Sequence, residues 1–218
     1  MNISENVKEI LNQIDGRAIL VAATKMNDES RIREAINAGV DYCGENRVQE
    51  MIEKYSLGAY TGAHLHFIGH LQKNKVKHVV GTCELIQSVD SIDLLNEIDR
   101  EASKKGIVQD VLFEINIGNE ETKSGFDSES IHEAFSSIGK NVFVRGLMCI
   151  PPKCPNSTEM RRFFKEMEHL FVDIDTKKYD NSRMDFLSMG MSHDFLEAID
   201  CGSNMVRVGT GIFGPRNY

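Results

Sequence analysis

Short apolar runs alternate with amphipathic segments along the chain. Eight runs of four to eight residues, bounded by polar or glycine-containing turns, predict strands. These predicted strands are Ala18–Ala23, Val40–Cys43, His64–Ile68, Leu85–Ser88, Val111–Ile115, Val142–Cys149, Met184–Leu187 and Met205–Val208. Between them, apolar residues recur at the spacing of helices that bury one face. Helix starts are indicated by capping residues at Asn27 or Asp28, Ser91, Asp127 and Asn156.

Strand and helix repeat without a linker rich in proline, glycine or serine, so residues 1–218 are predicted to form one domain. Parallel strands with right-handed crossovers close most simply into a (β/α)8 barrel of the TIM type. An open doubly wound sheet is the competing architecture. Against it, Thr24 and Lys25 follow the first strand where that fold has a glycine-rich phosphate turn. An extra N-terminal helix is predicted over Ser4–Gln13, with these residues facing inward: Val7, Ile10, Leu11 and Ile14.

Charge and composition narrow the possible functions. The net charge of -8 argues against a general nucleic-acid binder. There is no apolar stretch long enough to cross a bilayer and no leader-like pattern after Met1, so we expect a cytoplasmic protein without a membrane partner. The scattered cysteines suit reduced thiols; they are Cys43, Cys83, Cys149, Cys154 and Cys201. His64, His66 and His70 could suggest a metal, but no acidic partner is adjacent in sequence, and no metal site is predicted.

Lys25 is the first candidate for chemistry. It ends the first predicted strand, and barrels of this kind place their functional groups at the carboxyl ends of the strands. A partly desolvated lysine there is a candidate Schiff-base former. The alternative, which this segment alone favours, is a surface lysine just past a strand.

The loops after the last two strands suggest an anion site. Ser192 is predicted to cap the short helix that follows it, and its hydroxyl could also hold an anion. Gly209 and Gly211 allow close backbone approach, so neighbouring N–H groups could bind phosphate oxygens. Barrels frequently bind phosphate in these two loops. A capped helix and an ordinary glycine turn remain the alternatives.

Three other features have both a structural and a functional interpretation. Arg207 stands among apolar strand residues and needs a partner if it is buried. Asn46, after Gly44 and Glu45 beyond the second predicted strand, could bind a ligand or cap a helix. The lysine cluster Lys73–Lys77 is typical of a solvated helix face, and an anionic partner is the less favoured interpretation.

Together these segments resemble the pyridoxal phosphate homeostasis protein family, relatives of the alanine racemase barrel (fold type III). The resembling segments cover nearly the whole chain in order: Val21–Lys25, Gly44–Glu50, His66–Lys75, Lys123–Phe126, Gly146–Pro151, Ser188–Asp194 and Arg207–Thr210. The chain departs from the family pattern at Arg47, Leu65 and Cys149, and these departures concern the rim of the expected pocket.

The resemblance implies a cofactor and roles for six residues. Lys25 would hold pyridoxal 5′-phosphate as a Schiff base, and the phosphate would be held by three residues of the last two loops: Ser192, Gly209 and Thr210. Arg207 would face the pyridine nitrogen, and Asn46 would lie beside the cofactor. A permanently charged guanidinium disfavours protonation of that nitrogen, which weakens the ring as an electron sink.

The resemblance also implies a role. Racemases of this fold carry a second domain and a tyrosine base, whereas this chain ends at Tyr218, just after the predicted barrel. We therefore expect a monomeric carrier or buffer of pyridoxal 5′-phosphate in vitamin B6 and amino-acid homeostasis, without robust catalytic activity. Apo-enzymes that use the cofactor are expected recipients. The alternatives are a small racemase or lyase that uses this cofactor, and a cofactor-free Schiff-base aldolase.

Overall fold

Eight parallel strands close into a barrel in chain order in the computed structural model, which describes residues 2–120, 122–127, 129–154 and 156–215. The strands are β1 (Ile19–Ala23), β2 (Tyr42–Glu45), β3 (His64–Phe67), β4 (Leu85–Val89), β5 (Gln109–Ile115), β6 (Val142–Cys149), β7 (Ser182–Ser188) and β8 (Met205–Val208). β8 pairs with β1, with Arg207 in register with Val21, and so closes the ring. The predicted TIM-type barrel is confirmed, and the open sheet is excluded.

Helices surround this barrel and follow its strands. They are α1 (Ile3–Ile14), α2 (Glu29–Asn37), α3 (Val48–Ser56), α4 (Val76–Val79), α5 (Ile92–Lys105), α6 (Ser130–Ser136), α7 (Ser157–Lys177), α8 (Phe195–Asp200) and α9 (Thr210–Phe213), with a 3-10 turn at Lys73–Lys75. α1 is the predicted extra helix. It buries Val7, Ile10 and Ile14, and Leu11 is partly buried. No helix within the described part of the chain combines the length and apolar character needed to cross a membrane.

Polar side chains fix where several helices begin. Asp28, Ser91 and Asn156 each accept a hydrogen bond from a backbone N–H in the first turn of the next helix. Asp127 lies two residues farther from its helix, and its carboxylate accepts from the backbone N–H of Ser130 at 2.7 Å. These contacts satisfy donors that the helix itself leaves unpaired.

Two apolar layers hold the barrel. The larger lies between the strands and the helices, and the smaller fills the interior with side chains from alternate strand positions. The fully buried or nearly buried members of the interior set are Val21, Leu85, Leu112, Met148 and Met205. Arg207 shares the face of Met205 on β8, two residues nearer the carboxyl end, so its side chain belongs to the interior.

The position predicted for the second strand is wrong by two residues. β2 begins at Tyr42, so Gly44 and Glu45 lie in the strand rather than after it. A Cβ at Gly44 would stand 2.8 Å from a methyl carbon of Ile68 and 2.9 Å from one of Val21. Barrel packing therefore requires glycine at a strand position, whereas strand propensity disfavours it.

Met1 and Tyr218, the first and last residues of the sequence, lie outside the described residues.

Candidate functional site

Lys25 lies at the carboxyl end of β1, on the rim of the barrel. The preceding Thr24 is buried, and its backbone N–H donates to the Gly44 carbonyl at 2.9 Å. The following Met26 turns the chain with a φ of 61°. Asn27 then donates from its side chain to the Lys25 carbonyl at 3.1 Å. The backbone on both sides of Lys25 is therefore fixed, and the half-buried lysine lines a cleft of about 410 Å³.

The opposite wall of this cleft is the loop after β8. Gly209 and Thr210 line the same cleft as Lys25. A Cβ at Gly209 would lie 3.4 Å from the Cβ of Ala23, since β8 and β1 are neighbours in the closed barrel. The structure thus brings the first strand's lysine and the last strand's glycine loop together.

Ser192 does not cap α8. That helix begins at Phe195, three residues later, and no side chain caps it. The Ser192 hydroxyl instead accepts hydrogen bonds from the backbone N–H groups of Gly209 and Gly211, both at 3.2 Å. Ser192 therefore joins the loop after β7 to the loop after β8, and its own hydroxyl proton is left to donate to a further acceptor.

Arg207 lies inside the barrel just below this loop and is 5% exposed. Its guanidinium donates to the Ser188 hydroxyl at 2.5 Å and to the Cys149 carbonyl at 2.8 Å. Burial lowers the pKa of Arg207 from its ordinary value, and the nearby Glu114 opposes that effect. The partner that the sequence analysis required is thus a pair of neutral oxygens, one from a side chain and one from the main chain.

A buried chain of polar groups continues from Arg207 into the barrel. Ser188 donates to Gln87 at 2.7 Å, and the Gln87 amide contacts Nδ1 of His66 at 3.0 Å. Burial lowers the pKa of His66 to about 3, so this imidazole is neutral at physiological pH. This chain was not predicted from the sequence. The available signal was the polar residue Gln87 in the middle of the predicted strand Leu85–Ser88.

Asn46 lines a different cleft from Lys25. That neighbouring cleft has a volume of about 300 Å³ and is also lined by Glu114 and Lys123. The Asn46 Oδ1 atom is buried and has no hydrogen-bond partner among the described residues. The side chain does not cap α3, because Arg47 holds the N-cap position. A buried amide oxygen without a donor is a feature that a bound ligand would satisfy.

Glu114, on β5, was not predicted from the sequence. Burial, followed by the nearby Asp90, raises the pKa of its carboxyl to about 7, and Arg207 and Lys123 act in the opposite direction. The mouth of the barrel therefore carries a group that exchanges a proton near neutral pH.

A second buried cluster, centred on Lys54, supports the Lys25 turn from below. Lys54 donates to the Thr24 carbonyl at 2.8 Å, to Glu45 at 2.7 Å and to Glu50 at 2.6 Å. Glu45 is fully buried and also accepts from the Thr24 hydroxyl at 2.7 Å. Glu50 accepts from the backbone N–H of Met26 at 2.5 Å. The cluster was missed because its members lie on three separate elements.

The three histidines considered as metal ligands do not gather. His64 contacts Glu84 at 2.7 Å and His70 contacts Asp90 at 3.2 Å, so each has an acidic neighbour that sequence adjacency did not reveal. In the part of the chain that the structure describes, no group of three or more potential ligands could hold a metal ion. In the lysine cluster, Lys73 pairs with Asp93 at 2.6 Å on the surface.

Comparison with known proteins gives consistent matches over the full chain. The family model described as "Alanine racemase, N-terminal domain" matches residues 1–217. The "Pyridoxal phosphate homeostasis protein" of Aquifex aeolicus is 42% identical and covers 100% of both chains. The protein of the same name from Haemophilus influenzae is 36% identical, with 100% of this chain and 98% of the relative covered.

A solved structure agrees with these matches. PipY of Synechococcus elongatus, with pyridoxal 5′-phosphate bound, is 30% identical; the match covers 97% of this chain and 100% of PipY, with a TM-score of 0.86. The resemblance that the sequence motifs suggested is confirmed. The chain belongs to the alanine racemase N-terminal domain family and, within it, to the pyridoxal phosphate homeostasis proteins.

Proposed function

We propose that this protein binds pyridoxal 5′-phosphate in the Lys25 cleft and acts in vitamin B6 and amino-acid homeostasis as a carrier or buffer. The observation that carries the proposal is the shared cleft of Lys25 and the loop after β8, which joins a reactive amine to a set of backbone donors. The names of the relatives and the ligand bound to PipY support the same ligand.

The residues present fit this ligand. A cleft of about 410 Å³ lies within the usual range for a small-molecule site. Gly209 has no Cβ to fill the space between the two loops, and the orphaned Oδ1 of Asn46 is suited to a donor on a ligand in the adjoining cleft. When bound, pyridoxal 5′-phosphate supplies an aldehyde, which condenses with a neutral amine and loses water, and a phosphate.

Lys25 holds the ligand covalently through its Nζ atom. Thr24 and Asn27 fix the backbone on either side, so the amine is presented to the cleft with little freedom of the main chain. A fixed backbone lowers the ordering cost of binding.

Ser192, Gly209 and Thr210 hold the phosphate. Ser192 keeps two backbone N–H groups of the β8 loop in place and can donate its own hydroxyl proton. Thr210 adds a hydroxyl on the same wall of the cleft. Phosphate sites built from backbone donors and hydroxyls are common in the loops after the last two barrel strands.

Arg207 limits the chemistry of the ligand's ring. Its two observed acceptors are neutral, so the positive charge beneath the cleft is not cancelled by a direct carboxylate contact. Such a charge disfavours protonation of a nearby ring nitrogen. An unprotonated ring withdraws electrons less strongly from the bonds of a group attached to it. This arrangement therefore favours binding of the ligand over catalysis that uses it as a cofactor.

Within the cell, the protein acts as a monomer in the cytoplasm and passes its ligand to apo-enzymes. The described cysteines are all free, which suits a reducing compartment.

One observation favours a second candidate function, a weak racemase or lyase. Glu114, with a pKa of about 7, is placed at the barrel mouth, where a proton acceptor would be needed. Exchange of an amino acid's α-proton by purified protein, abolished in Glu114→Gln, would support that activity.

Absorption spectroscopy tests the main proposal. Protein loaded with pyridoxal 5′-phosphate should show a visible band that borohydride removes, and mass spectrometry should find the reduced adduct on Lys25. Lys25→Ala should lose the band, whereas Lys75→Ala, which changes an exposed lysine, should keep it. A colourless mixture of wild-type protein and ligand would contradict the proposal. Transfer of the ligand to an apo-enzyme, followed by the recovery of that enzyme's activity, tests the carrier role.

A further inference from the structure

Arg31 is a cationic residue of the Lys25 cleft to which the proposed function gives no role. It lies near the start of α2, is half-buried, and lines the cleft together with Lys25 and Thr210. Among the described residues that line this cleft, Lys25 and Arg31 carry the two positive side chains. Since Lys25 is assigned to the aldehyde, Arg31 is left as the cation available to the phosphate.

The guanidinium of Arg31 is held by neutral oxygens. Its Nε atom donates to the Asn27 side chain at 2.9 Å, and one terminal nitrogen donates to the Phe213 carbonyl. The guanidinium carbon also lies 5.9 Å from the centre of the Phe213 ring. Asp28 is adjacent, but its carboxylate accepts from the backbone N–H of Arg31 rather than from the guanidinium.

Arg31 differs in this respect from other arginines of the chain. Arg33, on the same helix, forms an ion pair with Glu29 at 2.9 Å, and Arg145 pairs with both Asp110 and Asp185. Across the described ranges, the Arg31 guanidinium forms no ion pair within 4 Å. The guanidinium is therefore oriented by hydrogen bonds to neutral oxygens, and Asp28 interacts with its charge only at longer range, without an ion pair.

The contacts of Arg31 join the two walls of the cleft. Asn27, which holds the guanidinium, also donates to the Lys25 carbonyl, while Phe213 belongs to the segment that follows Gly209 and Thr210. The guanidinium is consequently fixed before any ligand arrives. A fixed guanidinium that forms no ion pair with the described residues is suited to a phosphate, which accepts charge-assisted hydrogen bonds.

We propose that Arg31 determines specificity in this cleft by recognising the phosphate group of the ligand, so that the phosphorylated form of the aldehyde is bound in preference to the unphosphorylated form. This inference rests on the proposed function, because it assumes that the aldehyde end is held at Lys25. The backbone donors of the β8 loop are neutral and can be satisfied by water, whereas the charge of Arg31 distinguishes a phosphate from a hydroxyl.

The test compares the dissociation constants of pyridoxal 5′-phosphate and pyridoxal for wild-type protein, Arg31→Gln and Arg31→Met. A hydrogen bond to a charged group contributes enough that its loss should weaken pyridoxal 5′-phosphate binding by about 10- to 100-fold. Pyridoxal binding should change by less than about threefold, since its hydroxyl gains little from the charge. Arg31→Lys should keep part of the preference because it keeps the charge.

Two controls separate this role from a structural one. Arg33→Gln removes an exposed arginine from the same helix and should change neither constant. Circular dichroism checks that each variant is folded. If Arg31→Gln does not fold, Arg31→Met replaces it in the test, because methionine keeps most of the aliphatic part of the side chain beside Phe213. Equal weakening of both ligands, or no change in either, would overturn the inference.

Inorganic phosphate provides a readout that does not depend on Lys25. It should raise the melting temperature of Lys25→Ala, and this stabilisation should be lost when Arg31→Gln is added. If wild-type protein forms no adduct with the aldehyde but phosphate still stabilises it through Arg31, the proposed function fails, and only the binding of phosphate by Arg31 is retained. If the adduct forms and phosphate stabilises the two proteins equally, the inference fails alone.

Discussion

Arg207 and Glu114 place opposite charges near the carboxyl end of the barrel and are stabilised in different ways. Arg207 has two hydrogen-bond acceptors and keeps its charge although burial lowers its pKa. Glu114 lies beside Asp90 in a poorly solvated position, which raises the pKa of its carboxyl to about 7. At the scale of single residues, Arg207 is held by direct hydrogen bonds, whereas burial favours the neutral form of the Glu114 carboxyl.

Glu114→Gln should change how the free energy of unfolding depends on pH. The pKa of Glu114 is about 7 in the folded protein and 4.5 as an ordinary carboxyl, so the folded state binds this proton more tightly. Stability therefore falls as pH rises from about 4.5 through 7, by up to about 3 kcal/mol. Urea unfolding at pH 5 and pH 8 should show a smaller loss for Glu114→Gln than for wild type.

Glu133→Gln, which changes an exposed carboxylate on α6, serves as the matched control and should leave the pH dependence as in wild type. An identical loss in Glu114→Gln and wild-type protein would contradict the assignment to Glu114.

At the scale of elements, the Lys54 cluster joins the end of β1, the end of β2 and the helix α3, to which it contributes Glu50 from the first turn and Lys54 from the last. Lys54 is the cation shared by Glu45 and Glu50, and it also binds the Thr24 carbonyl. The turn that carries Lys25 is therefore supported by an ion network that is almost entirely buried. Removing one member of a buried ion network lowers the free energy of unfolding more than replacing all its members by apolar residues does.

Lys54→Met should destabilise the protein by about 3 to 5 kcal/mol, because it leaves the buried Glu45 carboxylate without its cation. Lys104→Met is the control, since the Lys104 side chain is about half-exposed and its partner Glu101 keeps a second cation, Arg100, at 3.3 Å; its effect should stay below about 1 kcal/mol. Chemical denaturation measures both. Equal effects of the two substitutions would refute the role assigned to the cluster.

Most elements could be predicted from the sequence because burial patterns decide them. The apolar runs located the strands, and the helical stripe of α1 predicted which residues are inward. β2 was displaced because Gly44 is chosen by packing between strands, which no local pattern expresses. Ser192 was assigned to the nearest helix, although its partners Gly209 and Gly211 come from another loop.

The residues of the candidate site could be predicted from the sequence where their position in the barrel alone decides their location. Lys25, Gly209 and Thr210 follow neighbouring strands, so barrel closure alone brings them to one cleft. The Lys54 cluster and Arg31 could not be found in this way, because their significance depends on side-chain contacts between distant elements. The functional roles of the six predicted site residues stay predictions.

At the scale of the whole molecule, closure of the ring is what relates the first strand to the last. The seam between β6 and β7 is one of the tightest points of that ring. Gly146 has a φ of 142°, and a Cβ there would lie 2.0 Å from the Phe186 carbonyl oxygen. Any side chain at position 146 would push the two strands apart.

That residues 1–218 form one domain stays a prediction.

Gly146→Ala should therefore lower the free energy of unfolding by about 3 kcal/mol or more, since both the backbone angle and the contact oppose alanine. Gly106→Ala is a matched control. Gly106 also has a positive φ, 66°, but no atom lies within 4 Å of a Cβ built there, so its cost should be about 1 kcal/mol. Thermal unfolding followed by circular dichroism compares the two, and similar losses would argue against crowding at the seam.

One acceptor of the Arg207 guanidinium is the main-chain oxygen of Cys149. A main-chain oxygen is supplied by whichever amino acid occupies that position, so this acceptor does not depend on the cysteine side chain. A residue of similar size at position 149 should therefore leave the Arg207 guanidinium in place, whereas replacing Ser188 by alanine should remove one of its two acceptors.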